Sequence, residues 1–311
     1  MVKLESLDII FERTDGTFHA GDRVRGAIVV ATREPVPIQR ISMNVKGEAR
    51  NGWVNKTSDK IYEGTEIYIN ETISLITNLT EINPGKHSFS FTFNLPVHLP
   101  PSFEGDFGRI RYLCHVTVTA KNAPLSRRSS TTMFNNLISD VTEFTCDRIL
   151  NVISNLNLMH YPLARHPVEA EDIVDYTCCC IPLGTATAVV KIPRNGYMPR
   201  DDIVVNAEIR NHSRRALDLV QVTLVQYAKF VAWSRYEQAA DTKEIRHSVS
   251  SISRPGVNAR RTVRFQNEVL EIPPVIPTYK GNIIEISYML HFEASPGIEI
   301  EIPITIGTMN L

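Results

Sequence analysis

The chain has no apolar run long enough to cross a bilayer as a helix, and its first twenty residues hold no basic stretch leading into an apolar one. Neither a membrane span nor a secretory leader is expected. Charge of either sign is not in excess: 33 lysines and arginines face 34 aspartates and glutamates, a formal net charge of -1. Residues 1–150 hold 17 basic and 17 acidic side chains and the remainder 16 and 17, so any basic patch must be local and no nucleic-acid partner is expected. Cysteine is scarce and odd in number: five, of which Cys178, Cys179 and Cys180 are adjacent. That excludes a spaced disulfide framework and points to a reducing, cytoplasmic setting. In that setting the sequons at Asn55, Asn70, Asn78 and Asn211 read as chance.

Catalytic signatures are missing as well. There is no glycine-rich phosphate loop, no Gly-x-Ser-x-Gly elbow, no paired metal-binding histidines and no Cys-x-x-Cys, so neither an enzyme nor a cofactor is expected. Cys114 beside His115 fails as a nucleophile–base pair, because on a strand adjacent side chains point to opposite faces.

What the chain does contain, it contains twice. Phe18-His19-Ala20-Gly21-Asp22 leads into Val24, Ile28 and Val30, then Ile38, Ile41, Met43 and Val45, and closes on Trp53. About 180 residues later Tyr197-Met198-Pro199-Arg200-Asp201 leads into Ile203, Val205 and Ile209, then Leu217, Val220, Val222 and Leu224, and closes on Trp233. Leu99-Pro100-Pro101 before Ile110 has its counterpart in Ile272-Pro273-Pro274 before Ile284. Two copies of one β-domain follow. The equivalent places of Trp53 and Trp233 favour a shared packing role over a reading as exposed hot-spot aromatics.

Period-two alternation supports strands at Phe89, Phe91 and Phe93, at Ile110, Tyr112, Cys114, Val116 and Val118, and at Ile284, Ile286, Tyr288, Leu290 and Phe292. Cys114 is placed in the core, with His115 and Arg111 on the wet face. Turn residues at Asp15-Gly16, Asn51-Gly52, Asn83-Pro84-Gly85, Asn195-Gly196 and Pro296-Gly297 predict short strands in antiparallel sandwiches. One short helix is expected where Met133, Phe134, Leu137, Ile138 and Val141 fall at helical spacing behind Ser129–Thr132. The boundary is expected in the Asn-, Pro- and His-rich stretch between Asn151 and Asp172, which gives domains over 1–155 and 173–311 and a linker over 156–172.

The block Pro84 to Pro96 (PGKHSFSFTFNLP) followed by Leu99 to Tyr112 (LPPSFEGDFGRIRY) resembles the signature of the α-arrestins, the arrestin-domain-containing proteins. Gly47, Ala49 and Trp53 upstream, Ala207-Glu208-Ile209 before Asn211 and Ser213, and Ile306-Gly307-Thr308 near the end agree. The resemblance implies an all-β fold of two tandem arrestin-type immunoglobulin-like β-sandwich domains. It implies a non-enzymatic adaptor, cytoplasmic and recruited to plasma membrane and endosomes, that binds cytoplasmic tails of membrane proteins and directs their endocytosis, endosomal sorting or ubiquitination. A retromer-type coat subunit is the alternative on the same fold, and a Cys/His zinc-dependent protein is one from another class.

Four departures bear on partners. The Pro-Pro steps run into Ser102-Phe103 and Val275-Ile276 and neither makes Pro-Pro-x-Tyr, so ubiquitin-ligase machinery is expected to be engaged indirectly. Ala123-Pro124-Leu125 stands where the family usually has Arg-Pro-Trp. A thioredoxin-binding relative uses a cysteine in the loop that here reads Asn211-His212-Ser213, and His212 cannot form a mixed disulfide. The first strand, Leu7 to Glu12, lacks the lysine pair with which visual and β-arrestins read phosphate.

Two sets of residues are candidate sites. Basic clusters stand at Arg127-Arg128, Arg214-Arg215 and Arg260-Arg261 with Arg264; Arg214, Arg215, Arg260, Arg261 and Arg264 would contact phosphate, phosphoinositide head groups or cargo, guanidinium geometry favouring phosphate, against a reading of all these clusters as solvated loop charge. Cys178, Cys179 and Cys180 are candidates for acylation, or with His160, His166 and Cys146 for zinc, against a reading as plain strand residues that pack as small apolar groups.

Overall fold

Strict alternation needs two sheets with one wet and one dry face each, and both copies are built that way. The computed structural model describes residues 2–122, 141–236 and 239–308. In chain order the strands are β1 (Ser6–Phe11), β2 (Thr17–His19), β3 (Arg23–Thr32), β4 (Val36–Asn55), β5 (Lys60–Ile76), β6 (Thr80–Ile82) and β7 (Gly85–Asn94). Next come β8 (Phe103–Glu104), β9 (Gly108–Lys121), β10 (Val141–Ile153), 3-10 turns at Leu158–His160 and Pro162–Arg165, β11 (Val168–Cys178) and β12 (Ile181–Ile192). The remainder are β13 (Gly196–Tyr197), β14 (Asp202–Asn211), β15 (Leu217–Ser234), β16 (Ala240–Val257), β17 (Arg261–Glu271), β18 (Tyr279–Lys280), β19 (Ile284–Ser295) and β20 (Ile298–Ile306). The helix read over Met133–Ile138, Arg127-Arg128 and Ala123-Pro124-Leu125 lie outside the described residues; Val141 opens β10.

Two units share this chain. Unit 1 takes the stretch up to Ala49, Glu66–Ser102 and Ile110–Val152; unit 2 takes Arg50–Thr65, Phe103–Arg109 and the chain from Ile153 on. In unit 1 the sheet β1-β3-β7 is antiparallel, with Ile28 opposite both Ile9 and Phe89. Its dry face carries Ile9, Phe11, Val24, Ile28, Val30, Phe91 and Phe93, while Phe89 is half-buried at the rim. The other layer contributes Ile41, Met43 and Val45 from β4 and Tyr112, Cys114, Val116 and Val118 from β9. Gly47 lies against these rings: a Cβ there would stand 2.5 Å from Tyr112 Cε1 and 2.6 Å from Ile69 Cγ2.

Unit 2 has the sheet β11-β12-β14-β17 and a second sheet in which β15, β19, β20 and β13 run side by side, with β16 on the other side of β15. Ala188, Val190, Ile203, Val205 and Ile209 from the first layer and Leu224, Ile286, Leu290, Phe292, Ile300 and Ile302 from the second are buried. β11 starts at Val168, inside the stretch read as linker. Strands are longer than the turn spacing suggested: β4 has 20 residues and β15 and β16 have 18 each. Asn-Gly at 51–52 does not break β4, because the buried Asn51 amide is held there, its Nδ2 donating to the Val231 and Ile283 carbonyls at 3.0 and 2.7 Å.

The duplication holds down to single hydrogen bonds. Asp22 accepts from the His19 amide (3.0 Å) and from Arg13, whose guanidinium lies 5.3 Å from the Phe18 ring. Asp201 accepts from the Met198 amide (3.0 Å) and from Arg194, which lies 4.9 Å from the Tyr197 ring. Burial alone would raise Asp22; the His19 amide and Arg13 outweigh it and hold the carboxyl below its ordinary value. In each copy a buried tyrosine also ties its strand to the proline-rich run twelve residues upstream. Tyr112 donates to the Pro100 carbonyl and Tyr288 to the Ile276 carbonyl, both at 2.7 Å.

The tryptophans break the symmetry, which corrects the expectation of a shared packing role. Trp53 is buried, stacks on Tyr62, meets Phe107 edge-on and donates its indole N–H to Asp241 at 2.9 Å. Trp233 is 45% exposed. It sits near the end of β15 opposite Ala240 and Glu63, and neither supplies a surface for its ring.

Candidate functional site

Both candidate sets meet at one end of the β11-β12-β14-β17 sheet. β11 runs to this end and β12 starts from it; β14 finishes there at Asn211 and β17 begins beside it at Arg261, opposite Asn211. The β11–β12 connection is a two-residue hairpin: Cys178 pairs with Ile181, and Cys179 and Cys180 form the loop with φ of 47° and 67°. Two successive left-handed residues match the twist of the strands they join. The three cysteines are therefore exposed at a hairpin tip, and the reading of them as packed strand residues is corrected. Turn geometry, not alternation, decides their orientation. Beside them Ile181 is 62% exposed.

The loop after β14 is fixed to the hairpin. His212 N–H donates to the Thr185 carbonyl at 2.9 Å and Arg214 N–H to the Leu183 carbonyl at 2.8 Å. Between those positions lies Gly184, at φ +103°, where a Cβ would come within 2.9 Å of Ser213 Cα. Beneath the loop Asn211 and Ser213 form a buried knot. Asn211 Nδ2 donates to the Arg215 carbonyl at 2.7 Å, and its Oδ1 accepts from the Ser213 amide and hydroxyl at 3.0 and 2.6 Å. Asn211 is 1% exposed and engaged at both ends of its amide, so this sequon is a structural motif and not a glycan acceptor. Arg260 N–H reaches the Ser213 carbonyl at 3.2 Å and brings the loop before β17 into the same cluster. The side chains that fan out are His212, Arg214, Arg215, Arg260 and Arg261, all exposed. Arg215 lies 5.7 Å from the Tyr176 ring.

Arg264 does not belong with them. Alternation along β17 turns it to the outer face of the sheet, where it reaches Glu208 at 3.2 Å; the same carboxylate takes Arg210 at 2.9 Å. Those hydrogen bonds, Arg210 first and then Arg264, hold the Glu208 carboxyl below its ordinary value. Here a groove of about 410 Å³ is lined by Glu169, Lys191, Glu208, Arg210 and Arg264, with cations and anions interspersed. Higher on the strand Glu268 engages Arg254.

Cys114 is buried in unit 1, and that burial pushes its thiol up to about 12; Cys146 is half-buried. No group of three or more His, Cys, Asp or Glu side chains among the described residues is placed to hold a metal ion, so the zinc arrangement considered for Cys178–Cys180 is not formed there. One arrangement escaped sequence reasoning. His115 Nδ1 lies 2.5 Å from Asp147 Oδ1, directly across the β9–β10 pair, and its Nε2 lies 3.4 Å from Thr117 Oγ1. The signal available was only that both residues fall on wet faces. Its geometry is that of a cross-strand pair on an exposed surface.

The family models agree with this architecture. "Arrestin (or S-antigen), N-terminal domain" matches residues 7–139 and "Arrestin (or S-antigen), C-terminal domain" matches residues 183–311. The chain belongs to the arrestin family. Its arrestin relatives include Arrestin domain-containing protein 15 of Caenorhabditis elegans, 29% identical over 92% of this chain and 75% of that one. Arrestin domain-containing protein 4 of Mus musculus is 26% identical over 99% of this chain and 72% of its own length. Thioredoxin-interacting protein of Mus musculus is 22% identical over 99% and 75%. Both arrestin domains are thus present, and unit 2 of this arrestin carries the exposed thiol and arginine end just described.

Proposed function

We propose that this arrestin is a non-enzymatic adaptor that binds cytoplasmic parts of membrane proteins and directs their endocytosis, endosomal sorting or ubiquitination. The observation that carries the reading is the pair of arrestin domains, each a two-layer sandwich whose buried residues are spent on packing. Arrestins with arrestin domain-containing relatives are adaptors as a class. The sandwiches supply suitable surfaces. Among the described residues β1 and β7 end one sheet of unit 1 and β11 and β17 end one sheet of unit 2, edges that an extended peptide can lengthen, although the Ile9 and Ile173 N–H groups on β1 and β11 are taken by Asp8 and Asp172. Glu169, Glu171 and Asp175 stud β11 with negative charge, which favours β17, with Arg261, for an acidic or phosphorylated tail. Within residues 1–311 neither Pro-Pro step supplies Pro-Pro-x-Tyr, so these two steps do not themselves offer that ligase-docking motif.

Surface biotinylation in cells with and without the protein tests the reading. A defined subset of membrane proteins should stay longer at the surface when it is lost. An unchanged surface proteome, together with stoichiometric copurification with a fixed coat complex, would replace the adaptor reading with the coat-subunit one.

A further inference from the structure

The three thiols at the β11–β12 tip sit where turn chemistry would not place them. Two consecutive left-handed residues in a two-residue hairpin favour Asn-Gly, whereas a Cβ-bearing cysteine at each position stores strain. Strain of that kind persists where something other than the turn requires the residues. The tip also joins apolar and cationic exposure: Ile181 and Pro182 project beside the thiols, and Arg214, Arg215, Arg260 and Arg261 surround them. Elsewhere on the sheet the guanidinium groups are ion-paired, Arg210 and Arg264 both with Glu208, while Glu268 of β17 engages Arg254 of β16. None of the four arginines at the tip is ion-paired among the described residues. The carboxylates at this end are Asp175, which accepts the Thr185 hydroxyl at 2.7 Å, and Asp218. Cations outnumber them.

We propose that Cys178, Cys179 and Cys180 are an S-acylation site, and that the acyl chain and Arg214, Arg215, Arg260 and Arg261 together hold this end of unit 2 on an anionic membrane. The acyl donor is a long-chain fatty acyl-coenzyme A acting through an acyltransferase. A cysteine thiolate attacks the thioester carbonyl, the new carbon–sulfur bond forms as that to coenzyme A breaks, and the coenzyme A thiol carries away the proton the cysteine gave up. No electron is exchanged. One acyl chain alone gives marginal, reversible attachment, and a polybasic patch is the usual second element of a stable one. Each cation near an anionic surface contributes about fivefold in partitioning, so four together outweigh loss of any one. Acylation does not depend on the adaptor reading, since it needs only the exposed tip.

The test uses the full chain expressed in cultured eukaryotic cells. Hydroxylamine-dependent exchange of thioesters for a mass tag should add up to three increments to the wild type, none to C178S/C179S/C180S, and the wild-type number to C146S. A variant with C178S, C179N and C180G should also lose the label while keeping or raising its melting temperature, which separates lost chemistry from lost fold. Unacylated protein should bind phosphatidylcholine vesicles containing phosphatidylserine at low salt and not pure phosphatidylcholine. R214Q/R215Q/R260Q/R261Q should abolish that binding, and R264Q should leave it within twofold. Absence of hydroxylamine-sensitive label on the wild type, its persistence in the triple serine variant, or recovery of Cys179 and Cys180 as a disulfide instead would each overturn the proposal. Equal binding to both vesicle types would overturn its electrostatic half.

Discussion

At the scale of single residues, the tyrosine hydroxyls have the clearest consequences. Tyr112→Phe and Tyr288→Phe each keep the ring but leave a carbonyl, of Pro100 or Ile276, without its donor. Each should cost about 1–3 kcal/mol in chemical denaturation. Alkaline pH acts on a different set. Burial pushes Tyr197 and Cys114 each up to about 12, above unfolded values of about 10 and about 8.5. The native state therefore holds these protons more tightly, and the stability this confers is complete below the unfolded values and lost as pH climbs toward 12. Melting temperature should fall over that window. Tyr197→Phe should be nearly silent at neutral pH and should remove only that tyrosine's share of the fall, since burial also raises Tyr288, Tyr176 and Tyr227 in unit 2. The tryptophans mark the limit of sequence reading at this scale. Trp53 and Trp233 are equivalent by position, yet what buries a ring is its neighbours, and Tyr62 and Phe107 have no counterparts around Trp233.

At the scale of elements, alternation carried most of the information. The runs in β7, β9 and β19 are buried and exposed in the order their sequence gives, because a strand in a sandwich leaves each side chain only one of two environments. Phe91 lies in the centre of β7, edge-on to Phe11 and stacked on Phe93. Phe91→Ala should cost about 3–5 kcal/mol. Hydrogen exchange should then show unit 1 opened and unit 2 still protected; simultaneous loss of both would mean their cores are not separate. Alternation was uninformative where the chain turns. Nothing in period two tells Cys178-Cys179-Cys180 as a strand from the same residues as a tight hairpin, and cysteine is not a usual turn residue. Likewise the five candidate arginines read as two clusters in sequence. Strand pairing gathered Arg214, Arg215, Arg260 and Arg261 at one end and turned Arg264 onto a different face, beside Glu208.

At the scale of the whole molecule, the partner question turns on proline. WW domains bind a preformed polyproline segment with its tyrosine two places on, and Pro100-Pro101 and Pro273-Pro274 lack that tyrosine. The Pro100 carbonyl is also occupied by Tyr112, which holds that run against the fold. Titration of isolated WW domains into residues 1–311 should give a Kd poorer than about 100 μM, roughly −5.5 kcal/mol; low-micromolar binding would reveal a docking site elsewhere.

The Asn51 clamp, finally, sets a timetable. Unit 2 is assembled from three stretches, and the earliest of them waits for the last: Asn51 is 180 residues ahead of Val231 and 232 ahead of Ile283. At about 5–20 residues per second of synthesis, that is a delay of about 10–45 s. During it the Asn51 amide lacks its two carbonyl acceptors and the indole N–H of Trp53 lacks Asp241. A ribosome-bound chain arrested shortly after unit 1 should therefore leave residues 50–65 open to protease and chaperone. A gene split at the linker should yield a carboxy-terminal half that stays soluble only when the amino-terminal half is supplied with it.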